Sequence, residues 1–269
     1  MKKWTLALVV FLGIAACKTN PFTGKSTLNF YANNSSLVST AFAEYDKFLQ
    51  SNKVVKGTAE ATMITNVGQR IAKAAERWLT ANGYPGYLKD YRWEYTLVDD
   101  ETVNAWCMPG GKIVFYTGIL PICQDETGVA VVMGHEVAHA LADHGAQRMS
   151  AQTLQSIGMV AGNVAIQDPE DRALFNAAYG VGSQVGGMLP FSRSHETEAD
   201  RIGLQIMAIA GYDPAEAPEL WKRMKAKSQG APPEFLSTHP SNDTRISNLT
   251  EWVPGAIAEA RKFGVTSFE

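Results

Sequence analysis

Two histidines and a glutamate in the middle of the chain have the types and the spacing of a metal-dependent hydrolase. His135, Glu136 and His139 form the pattern HExxH. On an α-helix, residues i and i+4 lie about 40° apart around the axis, so both imidazoles can reach one zinc ion at about 2.0–2.1 Å. Glu136 lies about 100° from that face, where it is poorly placed as a ligand but can reach a water on the metal. Two ligands and a general base are the core of a zinc hydrolase.

The residues around this motif can form the helix that it needs. Residues 127–143 (TGVAVVMGHEVAHALAD) contain no proline, and the positions that flank the histidines are small or aliphatic. This composition predicts a helix that is buried on most sides, with a dry metal face. The alternative is an ordinary core helix with two incidental histidines.

A zinc centre of this type needs a third protein ligand, with a water in the fourth position. The extended motif HExxHxxGxxH would require glycine at 142 and histidine at 145, whereas the chain has Ala142 and Gly145. His144 lies five residues after His139, about 140° around the helix, and points away from the metal face. We therefore exclude His144 as a ligand and expect it at the end of the motif helix, where a positive charge suits the helix dipole.

An acidic segment further along the chain supplies better candidates for the third ligand. In residues 192–200 (SRSHETEAD), Glu196 and Asp200 are i and i+4 of a predicted helix, so their carboxylates share a face. One carboxylate can bind zinc while the other orients a histidine ligand through its free ring N–H. The alternative for such an acidic run is a solvated helix face.

The N-terminus has the pattern of a targeting segment. A positively charged start precedes eleven uncharged residues, 4–14, which are too few to span a bilayer as a helix. Small residues then precede Cys17, as in a bacterial lipobox, so we expect residues 1–16 to be removed and Cys17 to be lipidated. Acyl chains on Cys17 would anchor the protein to a membrane. An aspartate directly after this cysteine would favour the inner membrane, whereas the chain has Lys18 there, which favours the outer membrane. The alternative is an ordinary signal peptide that leaves Cys17 as a plain thiol.

The composition is that of a globular protein without a nucleic-acid-binding surface. Hydrophobic residues make up 45% of the 269 residues and charged residues 19%, which is ordinary for a globular protein. A net charge of −3 without a clustered Lys/Arg face gives no sign of nucleic-acid binding. Cys107 and Cys123 can pair in an oxidising compartment, or they are two buried thiols.

Periodicity predicts a mainly helical α+β chain around these residues. Residues 17–34 are interpreted as a polar, turn-rich tether, and residues 35–269 as one domain. The patterns predict strands at 93–98, 103–108 and 112–117, and helices at 35–50, 58–81, 127–143, 145–166, 169–189, 192–210, 215–228 and 242–262. We expect the strands to form a small antiparallel sheet against the motif helix.

The order of these motifs resembles a known family. HExxH, followed about sixty residues later by SRxxExxAD, is similar to the zinc metallopeptidases related to HtpX, the CAAX prenyl endopeptidase, BepA and LoiP. Residues 20–25 (NPFTGK), 104–111 and 238–246 also resemble segments of that family. The resemblance implies a zincin-like (gluzincin) fold, one Zn²⁺ per chain and endopeptidase activity, and the chain looks like the short, single-domain lipoprotein type.

The resemblance also implies roles for individual residues. Carried over position by position, it makes His135, His139 and Glu196 the zinc ligands, Glu136 the general base, and Asp200 the residue that orients a ligand.

Two residues of the C-terminal motif have more than one possible role. The resemblance places His239 near the metal, as a partner of the transition state or as an inhibitory fourth ligand, and the alternative is an exposed loop histidine. Arg245 can steady an oxyanion or a substrate carbonyl, or it forms a surface ion pair. His195 has no matching role and is interpreted as structural.

The segment similar to the family's edge strand holds the candidate substrate-binding residues Asn104, Ala105, Trp106 and Gly110. We expect a polypeptide substrate to add to this strand by backbone hydrogen bonds, which gives weak sequence specificity. Such recognition suits the removal of misfolded or unassembled proteins of the cell envelope, on the periplasmic side of the outer membrane and near its assembly machinery. The alternatives are a zinc-stabilised chaperone or binding module with little proteolysis, and a structural zinc site with four closed ligands.

Overall fold

The computed structural model describes residues 17–31, 35–227, 233–240 and 242–269. The predicted signal segment, residues 1–16, lies outside the described residues. The chain divides into two compact units. Of the described residues, unit 1 comprises 17–31 and Asp143–Glu196, and unit 2 comprises those of Ser35–Ala142 and Thr197–Glu269.

The described part of the chain is mostly helical with short strands, which confirms the predicted α+β class. The strands are β1 (Cys17–Thr19), β2 (Ser26–Leu28), β3 (Val54–Val55), β4 (Glu94–Val98), β5 (Ala105–Met108) and β6 (Lys112–Tyr116). The helices are α1 (Ser35–Ser51), α2 (Ala59–Ala81), α3 (Leu120–Cys123), α4 (Glu126–Leu141), α5 (His144–Ala165), α6 (Pro169–Ser183), α7 (Leu189–Ile209), α8 (Glu216–Lys227), α9 (Glu234–Thr238) and α10 (Asp243–Lys262). A 3₁₀ turn (Thr117–Ile119) precedes α3, and a π-helical segment (Gln184–Met188) joins α6 to α7.

The four strands of unit 2 form one mixed sheet in the order β3-β4-β6-β5. The pairs β3–β4 and β5–β6 are antiparallel, whereas β4 and β6 are parallel, with Thr96 opposite Val114. This parallel pair corrects the prediction of a wholly antiparallel sheet. The chain passes from β4 to the edge of the sheet, forms β5 there, and returns as β6 between them, so that β6 runs in the same direction as β4.

The motif helix α4 lies in the core of unit 2. Asp125 caps its first turn by accepting a hydrogen bond from the Gly128 N–H at 3.0 Å. Its side chains are small or aliphatic on nearly every face, and most of them are buried, as the sequence predicts. α4 packs against α2, whose buried face repeats at helical spacing through Ile64, Val67 and Ile71.

Two glycines allow α4 to approach α7 closely. A Cβ added at Gly203 would lie 2.8 Å from the carbonyl carbon of Gly134 and 2.9 Å from the backbone nitrogen of His135. Both contacts are with main chain, which cannot rotate out of the way. The two helices therefore meet backbone to backbone, one residue before His135 and three residues after Asp200.

Unit 1 contains a strand hairpin and a helical hairpin. Where the sequence predicts a turn-rich tether, β1 and β2 pair antiparallel, with Cys17 opposite Leu28. The hairpin is continued by Phe30 and Tyr31, which bond to α5: the Phe30 N–H donates to Ser150 Oγ at 2.9 Å, and Tyr31 Oη lies 3.0 Å from Thr153 Oγ1. The prediction of a tether is therefore wrong for residues 17–31. A local sequence pattern does not show the long-range hydrogen bonds that order this segment.

His144 does not lie at the end of the motif helix. α4 ends at Leu141, Asp143 adopts a left-handed conformation with φ 56°, and His144 begins α5. The His144 ring is buried and stacks on His195, with the ring centroids 4.1 Å apart. A packing role in unit 1 replaces the predicted interaction with a helix dipole.

Candidate metal centre

The histidines of the HExxH motif point their Nε2 atoms at one place. On α4, Nε2 of His139 lies 3.1 Å from Nε2 of His135. A third imidazole comes from the short segment after α9, where His239 Nδ1 also lies 3.1 Å from His135 Nε2. His135 is 2% exposed, whereas His139 and His239 are partly exposed.

A carboxylate completes this group. His135, His139, Glu196 and His239 each offer one ligand atom, and all four atoms lie within 4.8 Å of one another. Glu196 is the last residue of unit 1, but α7 continues without a break into unit 2, so the helix itself fixes Glu196 one turn before Asp200. The i, i+4 pair of carboxylates predicted from the sequence thus lies on one helix.

The donor set fits zinc. Imidazole nitrogens and a carboxylate oxygen are ligands that zinc takes in proteins, at about 2.0–2.2 Å. Ligand atoms placed tetrahedrally at that distance would lie about 3.3–3.4 Å apart. The two measured nitrogen–nitrogen distances of 3.1 Å are close to this spacing.

The second carboxylate of the α7 pair contacts a candidate ligand histidine. Asp200 Oδ1 lies 3.0 Å from His135 Nδ1, and both side chains are almost fully buried. A carboxylate that accepts the Nδ1–H bond leaves the Nε2 lone pair directed at the metal position and increases the basicity of the ring. Asp200 is therefore the carboxylate of the pair that is placed to orient a histidine.

Arg245 supports this arrangement from behind. Its Nη2 atom donates to Asp200 Oδ1 at 2.5 Å, and its Nη1 atom donates to the Pro240 carbonyl at 3.3 Å. The guanidinium carbon lies 3.3 Å from the centre of the Trp221 ring, in a cation–π contact. The Arg245 side chain is 4% exposed, so the surface-pair alternative is excluded. Arg245 therefore lies beneath the site, in contact with the Asp200 carboxylate.

His239 lies between the candidate ligands and the candidate base. Its Nε2 atom is 3.5 Å from Glu136 Oε1, while its Nδ1 atom faces His135. The ring packs against Phe235, and the His239 N–H donates to the Phe235 carbonyl at 2.9 Å. Its side chain is 12% exposed, so His239 is not the exposed loop histidine of the alternative.

The predicted substrate strand β5 is at the edge of the sheet and packs beside α4. Asn104 precedes it and anchors α9, because its Nδ2 atom donates to Glu234 Oε1 at 3.1 Å. Ala105 is buried, with its N–H bonded to the Asn104 side-chain oxygen at 2.9 Å. The Asn104 side chain therefore bonds both to the start of the strand and to the segment before His239, and the contribution to a substrate would come from the backbone of the strand.

The other two predicted substrate residues pack against α1. The Trp106 indole contacts Phe48 edge-on, with the ring centroids 5.0 Å apart, and its Nε1 atom donates to Tyr116 Oη at 3.3 Å. Gly110 has φ +85°, and a Cβ there would lie 2.7 Å from the Phe42 ring. Trp106 and Gly110 thus pack against α1, and the predicted contact of this segment with a substrate is one of backbone hydrogen bonds.

The two cysteines of unit 2 are free thiols. Burial raises the pKa of Cys107 well above its usual range, and the negative charge of Glu136 raises this pKa further. Burial also raises the pKa of Cys123, to about 12. Both side chains are therefore neutral thiols at physiological pH and are unsuited to act as nucleophiles.

Two aromatic residues of the site were not predicted from the sequence. Trp221 lies on α8 under Arg245 and contacts His135 edge-on, with the ring centroids 5.8 Å apart. Phe235 stacks on Trp221 and supports His239. Aromatic residues at helical spacing normally indicate a core, and only the three-dimensional arrangement shows that this part of the core carries the candidate site.

The fold and the site define the class of protein. A buried helix with HExxH, a helix that supplies two further carboxylates and a small sheet beside them are features of a zincin-like metallopeptidase. A model of peptidase family M48 matches residues 59–253, and the chain therefore belongs to that family of metallopeptidases. The family resemblance found in the motifs is confirmed.

Sequence similarity to three metalloproteases and related proteases supports this family membership. The chain is 37% identical over 190 residues to the mitochondrial metalloendopeptidase OMA1 of Schizosaccharomyces pombe, covering 69% of this chain and 53% of that protein. It is 30% identical over 216 residues to the putative beta-barrel assembly-enhancing protease of Vibrio cholerae, covering 77% of this chain and 42% of that protein. It is also 31% identical over 183 residues to human OMA1, covering 64% of this chain and 34% of that protein. The chain thus spans about a third to a half of the length of these relatives.

Proposed function

We propose that this protein is a zinc-dependent endopeptidase. The observation that carries the proposal is the convergence of three imidazole nitrogens and the Glu196 carboxylate within 4.8 Å, beside the buried carboxylate of Glu136. His135, His139 and Glu196 would hold one zinc ion per chain.

The chemistry of peptide-bond cleavage follows from the placement of Glu136. When bound, zinc supplies a Lewis acid that lowers the pKa of a water and polarises a peptide carbonyl. Glu136 takes the proton from the attacking water and passes it to the leaving amine. Asp200 holds the His135 ring in place, and Arg245 holds Asp200, so both are positioning residues.

The substrate in this proposal is an extended polypeptide that adds to β5, the outermost strand on its side of the described sheet. Backbone hydrogen bonds along an edge strand read little sequence, which suits misfolded or unassembled proteins. One relative named for beta-barrel assembly supports a place in the bacterial cell envelope, while the OMA1 relatives are mitochondrial. We infer a lipid anchor on Cys17 at the periplasmic face of the outer membrane, near the outer-membrane assembly machinery.

Metal removal tests the proposal. We expect 1,10-phenanthroline to abolish cleavage of casein by the purified protein, and added zinc to restore it, because the chelator removes the metal that would polarise the peptide carbonyl and lower the pKa of the attacking water. The rate of release of acid-soluble peptides measures the effect, and zinc content is measured on the same samples. Cleavage that continues in metal-free protein would overturn the assignment.

The position of His239 supports closure of the fourth ligand position in the resting protein. Its Nδ1 atom lies as near to His135 Nε2 as His139 Nε2 does, at 3.1 Å. An imidazole there would compete with water, which would give a protein with little proteolysis until the segment moves. A protein closed in this way would behave as the chaperone or binding module of the alternative, and would cleave peptide bonds only after His239 moves away.

We expect His239→Ala to cleave casein several-fold faster than the parent at equal zinc content, because water gains the fourth position. Phe235→Leu is the companion variant: it keeps His239 but removes its aromatic support, and should raise the rate less. If His239→Ala instead lowers kcat with zinc retained, His239 assists the transition state and does not act as a gate.

A further inference from the structure

The helical hairpin of unit 1, formed by α5 and α6, carries an unusual concentration of exposed apolar side chains. Among the described residues, nine of the eleven large apolar side chains that are exposed lie between Met149 and Leu189. Val164 is 78% exposed and Leu174 is 70% exposed. From residue 151 to the end of α6 no described side chain is buried, so this hairpin has no core of its own.

The polar side chains of the hairpin bond to each other across its interior. The amides of Asn163 and Asn176 exchange two hydrogen bonds, at 2.8 and 3.1 Å. Gln155 Nε2 donates to Ser183 Oγ at 2.7 Å, and Tyr179 Oη donates to the Gln155 carbonyl at 3.1 Å. Hydrogen-bonded polar side chains between the helices and exposed aliphatic side chains outside differ from a helix pair built for water, where the apolar stripe faces inward.

Small residues bring the two helices together, as in helix pairs built for lipid. Gly158 and Gly162 are four residues apart on α5, and a Cβ at either position would lie 2.1 Å from the Tyr179 hydroxyl or the Phe175 ring. Close approach through small residues at this spacing, with hydrogen bonds between polar side chains, is how helices associate where lipid surrounds them.

The charges of the hairpin stand only at its ends. Residues 149–167 and 173–192 contain no Asp, Glu, Lys, Arg or His. By contrast, α2 carries acidic and basic residues along its exposed face. The uncharged stretches between these charged ends fit a surface that enters the interface of a bilayer. None of the described helices is long and apolar enough to cross a membrane.

The same unit carries the point where the chain would meet a membrane. Cys17 begins β1, and the strand hairpin bonds to α5 through Ser150 and Thr153. An open groove of about 600 Å³ runs beside α5, lined by Tyr31, Met149 and Ile157 among others. If Cys17 carries acyl chains, as the sequence predicts, this end of unit 1 would be held at a bilayer.

We propose that the hairpin of α5 and α6 is a membrane-docking surface that rests its exposed aliphatic side chains in the interface of a lipid bilayer. The proposal does not depend on the peptidase chemistry. It gives the protein a second contact with the membrane besides Cys17, and a single anchor would thereby become an oriented attachment of unit 1.

Flotation with vesicles tests the docking surface without the anchor. The protein is the chain from residue 17 onward, which keeps every described residue, with Cys17→Ser, and the vesicles are phosphatidylethanolamine and phosphatidylglycerol. We expect this protein to float with the vesicles, and Val160→Glu with Val181→Glu to lower its partition coefficient at least about tenfold, because two carboxylates would have to enter the interface. The binding should change little with salt, since the surface carries no charge.

A matched control adds the same two charges elsewhere. Ala43 and Gln69 are exposed on α1 and α2, and each precedes a lysine by four residues, so Ala43→Glu with Gln69→Glu should fold and should bind vesicles like the parent. Circular dichroism on all variants checks folding. As a second measurement, brominated lipid should quench the fluorescence of a Val160→Trp variant more than that of an Ala43→Trp variant.

Three outcomes would overturn the proposal. The parent does not float, or the hairpin variant floats as well as the control. Alternatively, in lipid-free solution, the hairpin variant changes the oligomeric state, which assigns the surface to a second copy of the chain. Chelator-sensitive cleavage of casein in the same parent protein would still support the peptidase, so the two proposals can fail separately.

Discussion

Glu136→Gln is expected to bind zinc like the parent and to cleave casein about 10²- to 10⁴-fold more slowly. The amide keeps the size and much of the hydrogen bonding of the carboxylate, but it cannot take a proton from water. Glu136 is 4% exposed and lies on the helix that supplies two of the candidate ligand histidines. The initial rate of cleavage and the zinc content of the same preparation are the two measurements.

Glu44→Gln provides the control for this substitution. It makes the same chemical change at an exposed position of α1, and we expect both rate and zinc content to stay at the parent values. If Glu136→Gln cleaves casein as fast as Glu44→Gln with zinc still bound, Glu136 is not the base. The zinc endopeptidase would then need another group to move the proton.

Substitutions of the two carboxylates of α7 are expected to have different effects on zinc binding and activity. Glu196→Ala removes a ligand atom, so we expect the purified protein to lose its zinc and its activity together. Asp200→Asn keeps the ligand set and weakens only the support of the His135 ring, so we expect zinc affinity or activity to fall about 10- to 100-fold. Zinc titration against a chromophoric chelator, with casein cleavage in parallel, separates the two results.

Thr197→Ala is a suitable reference for both variants, because Thr197 is exposed and lies next to Glu196 on the same helix. Equal zinc loss in the Glu196 and Asp200 variants would contradict the division of roles. Zinc retained in Glu196→Ala would show that His135, His139 and His239 hold the metal without a carboxylate.

The parts of the site that follow from local spacing could be predicted from the sequence. HExxH fixes two imidazoles on one helix face, and the pair Glu196 and Asp200 fixes two carboxylates on another, because helical geometry is the same wherever a helix forms. The positions of the eight longer helices along the chain were also visible from their periodicity, whereas the short helices α3 and α9 were not predicted. For these residues the sequence contains the physical reason for the geometry.

What depends on contacts between distant segments could not be predicted in this way. Arg245 reaches Asp200, 45 residues away, and packs on Trp221, a contact that no local pattern encodes. The parallel pairing of β4 with β6 and the packing of Trp106 against α1 depend likewise on how elements meet. The exposed outer surface of the α5–α6 hairpin was also hidden, because the same apolar residues would fit a buried helix.

The backbone contact between Gly134 and Gly203 has a consequence for how the site gains its metal. The contact fixes α4 against α7 through rigid main chain, and so sets the spacing of His135 and Asp200 without any contribution from a metal ion. A preorganised site of this kind spends little binding free energy on ordering the protein. It contrasts with small zinc domains, in which binding and folding are one event. Apoprotein and holoprotein should therefore share one fold, and zinc can exchange without an unfolding step.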